Sequence, residues 1–384
     1  MVHPLDTMSY IKTNAAFKHN WACWRFLGMH PTERYKALYA IYSMVLNITI
    51  TLFYPSSLVI AVFLSDNIKQ ILEALVLTAT NVACSSKQIN AFLRRSDILA
   101  IESLLPRLDS RAHHSDEQRI LKAMIKTSYT FFYVYFVVYV STGLLSEIAT
   151  LFATNKRLMY PAWLPFDWKS SNFNYAVANI YQFVGIMVGI VQECVNDTFP
   201  AIYMGVLTGH IQALMKRIER IGTNTRISLE RNYEELVHCI QDYQILKQYY
   251  NVLQPITSGA LFLQFFVTAI VVCITAVYLV FVDGSAFDMI YLGFYFACIL
   301  MEILLSCYYG NELLYESHLI TNAIYSCSWT EQSERFKKVM IIFMQSTQMD
   351  MSVKAGGLIN VNLESYMAVL KSSYSLFAVL IKAT

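Results

Sequence analysis

Seven long apolar stretches follow one another along the chain, and segments rich in charged and polar residues separate them. Each is close to the length of about twenty residues that a helix needs to cross the hydrocarbon layer of a membrane. The stretches cover residues 37–64, 71–93, 127–152, 175–204, 256–282, 289–307 and 363–381. Because lipid offers no hydrogen-bond partner to the backbone, each is predicted to be a helix. The pattern predicts an all-α integral membrane protein with seven transmembrane helices.

The helical spacing of apolar residues continues beyond two of these stretches. Residues 116–126 lead without a helix breaker into the third stretch, and residues 209–221 prolong the fourth, so both helices are expected to extend past the membrane. Residues 333–347 form an amphipathic helix too short to span, and the Ala-Gly-Gly sequence at 355–357 can bend. The short helix is either a membrane-surface anchor or an interface with other subunits, and both interpretations remain open.

The composition supports lipid as the main surrounding of the chain. Hydrophobic residues make up 56% and charged residues only 15%, whereas soluble domains contain about one quarter charged residues. The net charge of +2 is too small for a protein that binds nucleic-acid phosphates. The eight cysteines include no Cys-x-x-Cys pair and no Cys/His spacing of a zinc site. We therefore expect no nucleic-acid partner, no metal and no other cofactor.

The positions of Lys and Arg predict the orientation in the membrane. If the N-terminus is cytosolic, 22 of the 29 basic residues lie in cytosolic segments, five lie outside and two lie within spans. Because positively charged loops resist translocation, this predicts an inverted topology, with the N-terminus cytosolic and the C-terminus extracellular. G-protein-coupled receptors have the reverse orientation, and the Asp-Arg-Tyr motif typical of their third helix is absent. No G protein is expected to be required.

One domain accounts for the whole chain. No internal repeat is visible, and no linker rich in Pro, Gly or Ser divides the sequence. Residues 1–384 are therefore interpreted as a single transmembrane domain, in which residues 1–36 form a cytosolic N-terminal segment. The absence of repeats and of Gly- or Pro-broken half-helices argues against a secondary transporter. The sequence also lacks a His cluster or a nucleophile with its base, so the chain is not expected to be an enzyme.

The C-terminal third contains a specific series of residues. In order, the series consists of Tyr325-Ser326, Trp329, Arg335-Phe336-Lys337-Lys338, Gln348, Ala355-Gly356-Gly357, Leu363-Glu364, Tyr366 and Leu370-Lys371-Ser372-Ser373-Tyr374-Ser375. This series resembles the signature of the insect odorant receptors. The related gustatory receptors have a Thr-Tyr and Gln-Phe motif in the last helix, and the corresponding stretch at 374–377 departs from it.

The resemblance implies a ligand-gated cation channel that lies in the plasma membrane of a sensory neuron dendrite. In this family tuning subunits assemble with a shared co-receptor, as a heterotetramer around one pore. Residues 309–357 would form a cytosolic anchor segment, and residues 358–384 would form the pore-lining last helix. The co-receptor has a long insertion between helices four and five, whereas this chain has a compact loop, which implies a tuning subunit. The alternative is a gustatory-receptor-like channel that works as a homotetramer.

The resemblance also implies which residues form the subunit anchor and the pore. Five aromatic residues of the signature are assigned to the anchor: Tyr325, Trp329, Phe336, Tyr366 and Tyr374. The pore and gate are assigned to Val379, Leu380, Lys382 and Lys371. A ring of Val379 side chains would close the pore by dewetting, unless Val379 faces lipid or a neighbouring helix. Lys382 would either reduce cation entry or extend to the membrane surface.

A small volatile odorant needs an apolar, aromatic-rich cavity with few polar groups. The family binds its ligand between helices two, three, four and six. The outer halves of these helices contain eleven candidates, namely Thr78, Asn81, Tyr139, Thr142, Gly143, Ser146, Phe183, Met187, Tyr291, Phe294 and Tyr295. Each of them also fits ordinary helix packing. Gly143 is the favoured contact, because its missing side chain leaves room in a tyrosine-rich helix.

Ionisable residues inside spans are costly unless they are paired or functional. The predicted spans contain Glu147, Glu193, Asp197, Glu302 and Lys371, and the second span also contains Lys87. Glu193 and Asp197 lie one helical turn apart and are expected to bind a basic partner, with structural pairing the simplest explanation. Lys371 is expected to face the pore or its side openings. The second span, which Glu73, Asn81, Lys87 and Gln88 interrupt, needs a side that faces protein or water.

The orientation is tested by labelling the two ends of the chain. An epitope placed after Thr384 should bind antibody on intact cells, and one placed before Met1 should bind only after permeabilisation. The expectation follows from the 22 basic residues on the cytosolic side against five outside. The reverse labelling pattern would contradict the inverted topology.

Overall fold

The computed structural model describes residues 11–29, 36–65, 68–151, 158–281 and 286–383, and these residues fold almost entirely as helices. The α-helices are α1 (Lys18–Phe26), α2 (Lys36–Leu46), α3 (Phe53–Phe63), α4 (Ile68–Leu93), α5 (Arg95–Asp109), α6 (Ser115–Leu151), α7 (Asn172–Glu219), α8 (Leu229–Phe281), α9 (Ala286–Ser326), α10 (Glu334–Ser346) and α11 (Leu363–Ala383). A 3₁₀ turn, Thr13–Phe17, precedes α1. Two short strands, β1 (Lys354–Ala355) and β2 (Ile359–Asn360), pair antiparallel.

The seven predicted spans correspond to seven helical segments. The first is built from α2 and α3, which a π-helical segment, Asn47–Leu52, joins without a break. The others are α4, α6, α7, α8, α9 and α11. Within the described residues, five segments are long and apolar enough to cross a membrane, namely Lys36–Phe63, Ser115–Leu145, Asn172–Glu219, Leu229–Thr275 and Gly293–Ser326. The prediction of an all-α fold is confirmed.

Three helices extend far beyond the thickness of a bilayer. The longest, α8, has 53 residues, which at 1.5 Å per residue is about 80 Å, against about 30 Å for the hydrocarbon core. The extended end of α7 buries Ile211, Leu214 and Ile218, and the corresponding end of α8 buries Leu236 and Leu246 in the same apolar core. The predicted extension of the fourth span is therefore present and packs on α8. That of the third span is also present, because α6 begins at Ser115 and Leu121 is buried in one cluster with Ala213 of α7.

The N-terminal segment folds onto the extended helices. Phe17 and Trp24 are fully buried, and the backbone N–H and hydroxyl of Thr13 donate hydrogen bonds of 2.9 and 2.8 Å to the carboxylate of Asp109. Burial raises the pKa of the Asp109 carboxyl, and the two hydrogen bonds from Thr13 offset part of this rise. Asp109 is the last residue of α5, a helix that follows the second span. The apolar residues that reveal the helix are Ile98, Ile101, Leu105 and Leu108 of α5.

The short amphipathic helix predicted at 333–347 is present as α10. Ser333 caps it, because the Ser333 hydroxyl accepts a hydrogen bond of 3.3 Å from the backbone N–H of Phe336. Phe336 and Phe343 are buried in the core of the subunit. The bend predicted at 355–357 is a hairpin in which Gly356 and Gly357 have φ of 59° and 72°. Only glycine adopts this left-handed region without strain, so the turn depends on both residues.

The last helix is fixed to the rest of the bundle at its start. Gly310 of α9 lies directly beneath the backbone of Val361, two residues before α11, and a Cβ atom on Gly310 would overlap the Val361 carbonyl oxygen. Further along, the Ser373 hydroxyl donates a hydrogen bond of 3.2 Å to the carbonyl of Ala269 in α8. The close approach at Gly310 therefore sets where α11 begins.

Substituting Gly310 should disturb this attachment. Gly310→Ala should lower the free energy of unfolding by about 1–3 kcal/mol, because the overlapping atom is backbone and cannot rotate away. The measurement is thermal unfolding of the purified receptor. Gly259→Ala, in a helix where no atom lies within 4 Å of the added Cβ, is the matched control and should be neutral or stabilising, since alanine is the better helix former. Equal stability of the two variants would contradict the attachment.

Candidate ligand site and the ionic cluster below it

Contacts between small polar groups join helices α4, α6 and α9. The hydroxyl groups of Thr80 in α4 and Tyr295 in α9 are 3.0 Å apart. The Thr142 hydroxyl of α6 lies 3.3 Å from the sulfur of Cys298, one turn further along α9. Both distances are within hydrogen-bonding range for these atoms. The two contacts place α9 between α4 and α6.

Helix α7 contacts both α6 and α4. A Cβ atom on Gly143 of α6 would lie 3.0 Å from Cε of Met187 and would overlap Cδ1 of Ile190, so α6 and α7 are in close contact there. The Cys84 thiol of α4 makes a long hydrogen bond of 3.9 Å to the carbonyl of Gly189. Four contacts thus connect α4, α9, α6 and α7 in a closed sequence, which we call the four-helix ring.

Most of the predicted ligand contacts lie on this ring. The buried candidates are Thr78, Tyr139, Thr142 and Gly143, and the half-buried ones are Asn81, Phe183, Met187 and Tyr295. Phe294 is exposed. The side chains of Ser146 and Tyr291 fall outside the described part of the structure. The missing side chain of Gly143 was expected to leave room. In the structure the flexible ends of Ile190 and Met187 occupy the space beside it.

An ionic cluster of Lys87, Glu193, Asp197 and Glu302 lies next to the ring, further along α4, α7 and α9. The ammonium group of Lys87, only 6% exposed, lies 2.9 Å from Oε2 of Glu193 and 2.6 Å from Oδ1 of Asp197. Lys87 is therefore the basic partner that the spacing of the two acidic residues predicts. The hydroxyl of Tyr139 donates a hydrogen bond of 2.8 Å to Oδ2 of Asp197, so this predicted ligand contact is also tied to the cluster.

The third carboxylate of the cluster has a different environment. Glu302 is 8% exposed and accepts a hydrogen bond from the side-chain amide of Gln264 in α8. Among the described residues no lysine or arginine lies within ion-pair distance of Glu302. Its carboxylate nevertheless lies within 4.8 Å of those of Glu193 and Asp197. The three carboxylates thus have one ammonium group among them, and it contacts only two of them.

A layer of uncharged polar groups surrounds the ionic cluster. The Gln192 amide donates a hydrogen bond of 2.8 Å to the hydroxyl of Thr51 in the π-helical segment. The Asn196 amide donates one of 3.1 Å to the side-chain oxygen of Gln88. These contacts supply the protein-facing side that the sequence of α4 requires, because buried polar groups are costly without partners. Asn196 begins an Asn-Asp-Thr triplet that matches the N-glycosylation pattern, and its contact with Gln88 places it inside the bundle.

The residues assigned to the pore lie on an open side of α11. Val379 is 62% exposed in the single chain, and Lys371 is also exposed. The side chains of Leu380 and Lys382 fall outside the described residues. An exposed apolar residue on a membrane helix has lipid, a neighbouring subunit or a pore beside it.

The residues assigned to the anchor do not share one environment. Tyr325 and Tyr374 are exposed, Trp329 and Tyr366 are half-buried, and Phe336 is fully buried. Tyr325 and Trp329 form an aromatic pair with ring centroids 6.1 Å apart. Phe336 thus packs within the subunit, whereas Tyr325 is placed to contact a neighbour.

Comparison with known proteins agrees with this architecture. The family model described as 7tm Odorant receptor matches residues 67–374. Odorant receptor 59a of Drosophila melanogaster is 33% identical, over 95% of this chain and 96% of the relative. Odorant receptor 2a of the same fly is 30% identical, over 97% and 98%. The insect olfactory receptor OR5 from Machilis hrabei has the same fold, with a TM-score of 0.85 at 17% identity over 98% of this chain and 100% of that one.

The chain belongs to the insect odorant receptor family. It is a multi-pass membrane protein with the seven-helix fold of that family, and the resemblance inferred from the C-terminal signature is confirmed. The similar fly proteins are individual odorant receptors rather than the shared co-receptor. Members of the family are sensory receptors and not enzymes, which confirms that prediction as well.

Sequence reasoning missed several residues of the ring and cluster. Thr80, Cys84 and Cys298 are small residues in apolar helices, and nothing in their spacing distinguishes them from packing. Lys87 did have a detectable signal, because a lysine inside a span requires a nearby acid. Gln264 is marked in the same way, as an amide in an otherwise apolar stretch of α8.

Removing the ammonium group of Lys87 should destabilise the bundle. Lys87→Met keeps the length of the side chain but leaves Glu193 and Asp197 without a counter-charge, and breaking a buried pair in this way costs about 3–5 kcal/mol. We expect a large fall in the thermal unfolding midpoint and in surface expression. Lys216→Met is the control, because Lys216 pairs with Glu219 at the exposed surface, where such pairs contribute about 0–1 kcal/mol. Similar falls in unfolding midpoint and surface expression for both variants would contradict a stabilising role of the cluster.

Proposed function

We propose that this chain is the odorant-sensing subunit of a heteromeric, ligand-gated, non-selective cation channel in the plasma membrane. The observation that supports odorant binding most directly is the four-helix ring, which brings most of the predicted contacts together within a chain of the odorant receptor family. The ligand is bound between α4, α6, α7 and α9. Ligand binding opens a pore lined by α11.

The side chains of the ring define the class of ligand. Phe183 and Met187 contribute apolar surface, while Thr142 and Tyr295 contribute hydroxyl groups that are already close to a neighbouring polar atom. Such a site favours a small, mainly apolar molecule with one or two polar groups, because more polar groups would be desolvated without partners. OR5 from Machilis hrabei, which has the same fold, has been solved in complex with eugenol.

The pore is assigned to the open face of α11. Val379 and Lys371 lie on the part of this helix that the rest of the subunit leaves uncovered, and Leu380 and Lys382 follow in sequence. A ring of valines closes a narrow pore by excluding water, and a modest rotation of the helix readmits it. Assembly with the co-receptor surrounds this face with neighbouring subunits, through the cytosolic anchor at 309–357, where Tyr325 is exposed.

Co-expression with an insect co-receptor tests the assignment as a tuning subunit. We expect no robust odorant current from this chain alone and a non-selective cation current when both proteins are present, because the co-receptor supplies much of the shared pore. The measurement is whole-cell recording while a panel of volatiles is applied. Cells with the co-receptor alone are the control. Robust current from this chain alone would support a homomeric channel instead.

A larger side chain at Gly143 tests the site itself. Gly143→Leu should abolish or reshape the odorant response, because the added side chain must displace Ile190 and Met187, and Met187 is itself a predicted ligand contact. The current evoked by a co-receptor agonist, and surface expression, should persist.

Gly293→Leu is the matched control for this substitution. Gly293 lies in α9 next to the predicted contacts, but no atom lies within 4 Å of an added Cβ. Its concentration–response curve should remain that of the wild type. An unchanged curve for Gly143→Leu would remove Gly143 from the site.

A further inference from the structure

We propose that the ionic cluster is a binding site for a monovalent metal cation, held by Glu302, Gln264 and Glu193 beside the ion pair of Lys87 and Asp197. None of the proposed cation ligands is a predicted odorant contact, and the proposal does not rest on the channel assignment. It starts from an imbalance between the three carboxylates and the single ammonium group that the structure places among them.

The imbalance lies on the side of Glu302. Lys87 contacts Glu193 and Asp197, and the two negative charges of these carboxylates already exceed its one positive charge. Glu302 brings a third negative charge within 4.8 Å of both. Within the described chain its direct polar partner is the uncharged amide of Gln264. Buried charges of like sign require compensation, and a bound cation supplies it.

A second observation is independent of the acidic residues. Gln264 is 4% exposed, and its amide N–H groups donate to Glu302 and to the hydroxyl of Thr268. Its side-chain oxygen Oε1 is buried and has no hydrogen-bond partner. This unpaired oxygen belongs to the same planar amide group whose nitrogen contacts the Glu302 carboxylate. An amide oxygen next to a carboxylate is a typical pair of ligands for a hard cation.

The number of free oxygens indicates a monovalent ion. Lys87 and Tyr139 engage both oxygens of Asp197 and one of Glu193. The second oxygen of Glu193, the oxygen of Glu302 that Gln264 does not contact, and Oε1 of Gln264 remain for an ion. This set is smaller than the roughly six to eight oxygens that Ca²⁺ takes. The cost of desolvating an ion also rises with the square of its charge, whereas attraction to the cluster rises only linearly, so a monovalent ion such as Na⁺ fits better.

Binding of sodium to the purified full-length receptor tests the proposal. Thermal unfolding is measured in NaCl and in N-methyl-D-glucamine chloride of equal ionic strength, across a range of sodium concentrations. We expect a saturable rise of about 2 °C or more in the unfolding midpoint with sodium, because a ligand that binds only the folded state stabilises it. Glu302→Gln should abolish the rise. Glu331→Gln, which removes an exposed carboxylate outside the bundle, should retain it.

A direct measurement covers the case in which Glu302→Gln does not fold. Wild-type receptor should retain ²²Na⁺ in a saturable manner, and excess unlabelled Na⁺ should displace it, whereas N-methyl-D-glucamine should not. Absence of saturable ²²Na⁺ binding would overturn the proposal. A thermal unfolding midpoint that does not respond to sodium but shifts with pH would also overturn the proposal, because a proton would then neutralise the Glu302 carboxylate. A folded Glu302→Gln variant that still shows the full rise in unfolding midpoint with sodium would likewise contradict the proposal.

Discussion

The placement of Lys87 between Glu193 and Asp197 is the interaction on which the transmembrane bundle depends. A lysine in the second span is costly in lipid, and so are two acids in the fourth, but each removes the cost of the other when the two helices meet. This requirement fixes both the contact between α4 and α7 and its register, since a shift of one residue on either helix would separate the charges. Tyr139 extends the same interaction to α6 through its hydrogen bond to Asp197.

The position of the candidate ligand site follows from this arrangement. The cluster holds α4, α6 and α7 together at one level, and Glu302 of α9 lies at the same level, where its carboxylate accepts a hydrogen bond from Gln264 of α8. Above that level the same four helices are in contact through small groups such as Thr80, Thr142 and Gly143. The ring therefore combines a strongly polar inner end with a mainly apolar outer end. A small apolar ligand suits the outer end, whereas a cation suits the inner end.

The long helices connect this region with the far end of the bundle, where α7 and α8 pack on each other. Helix α7 continues from the ring to its buried packing against the extended end of α8. Helix α9 runs from Tyr295 to Gly310, where it meets the chain just before α11. In the proposed channel, a change in the contacts of α9 at the ligand site therefore reaches the start of the pore helix along one continuous helix. The hairpin at Gly356 and Gly357 sets the direction in which α11 leaves.

The sequence by itself determined the helices, the family and the need for ion pairing, because apolar spacing, the C-terminal signature and the cost of intramembrane charge are local or compositional properties. The tertiary structure decided which side chains contact one another. Gln264 and Glu302 are brought together from different helices, and the space beside Gly143 is filled by residues of α7. Such contacts depend on helix rotation and register, which result from packing many side chains at once, and a single sequence does not encode them in any local pattern.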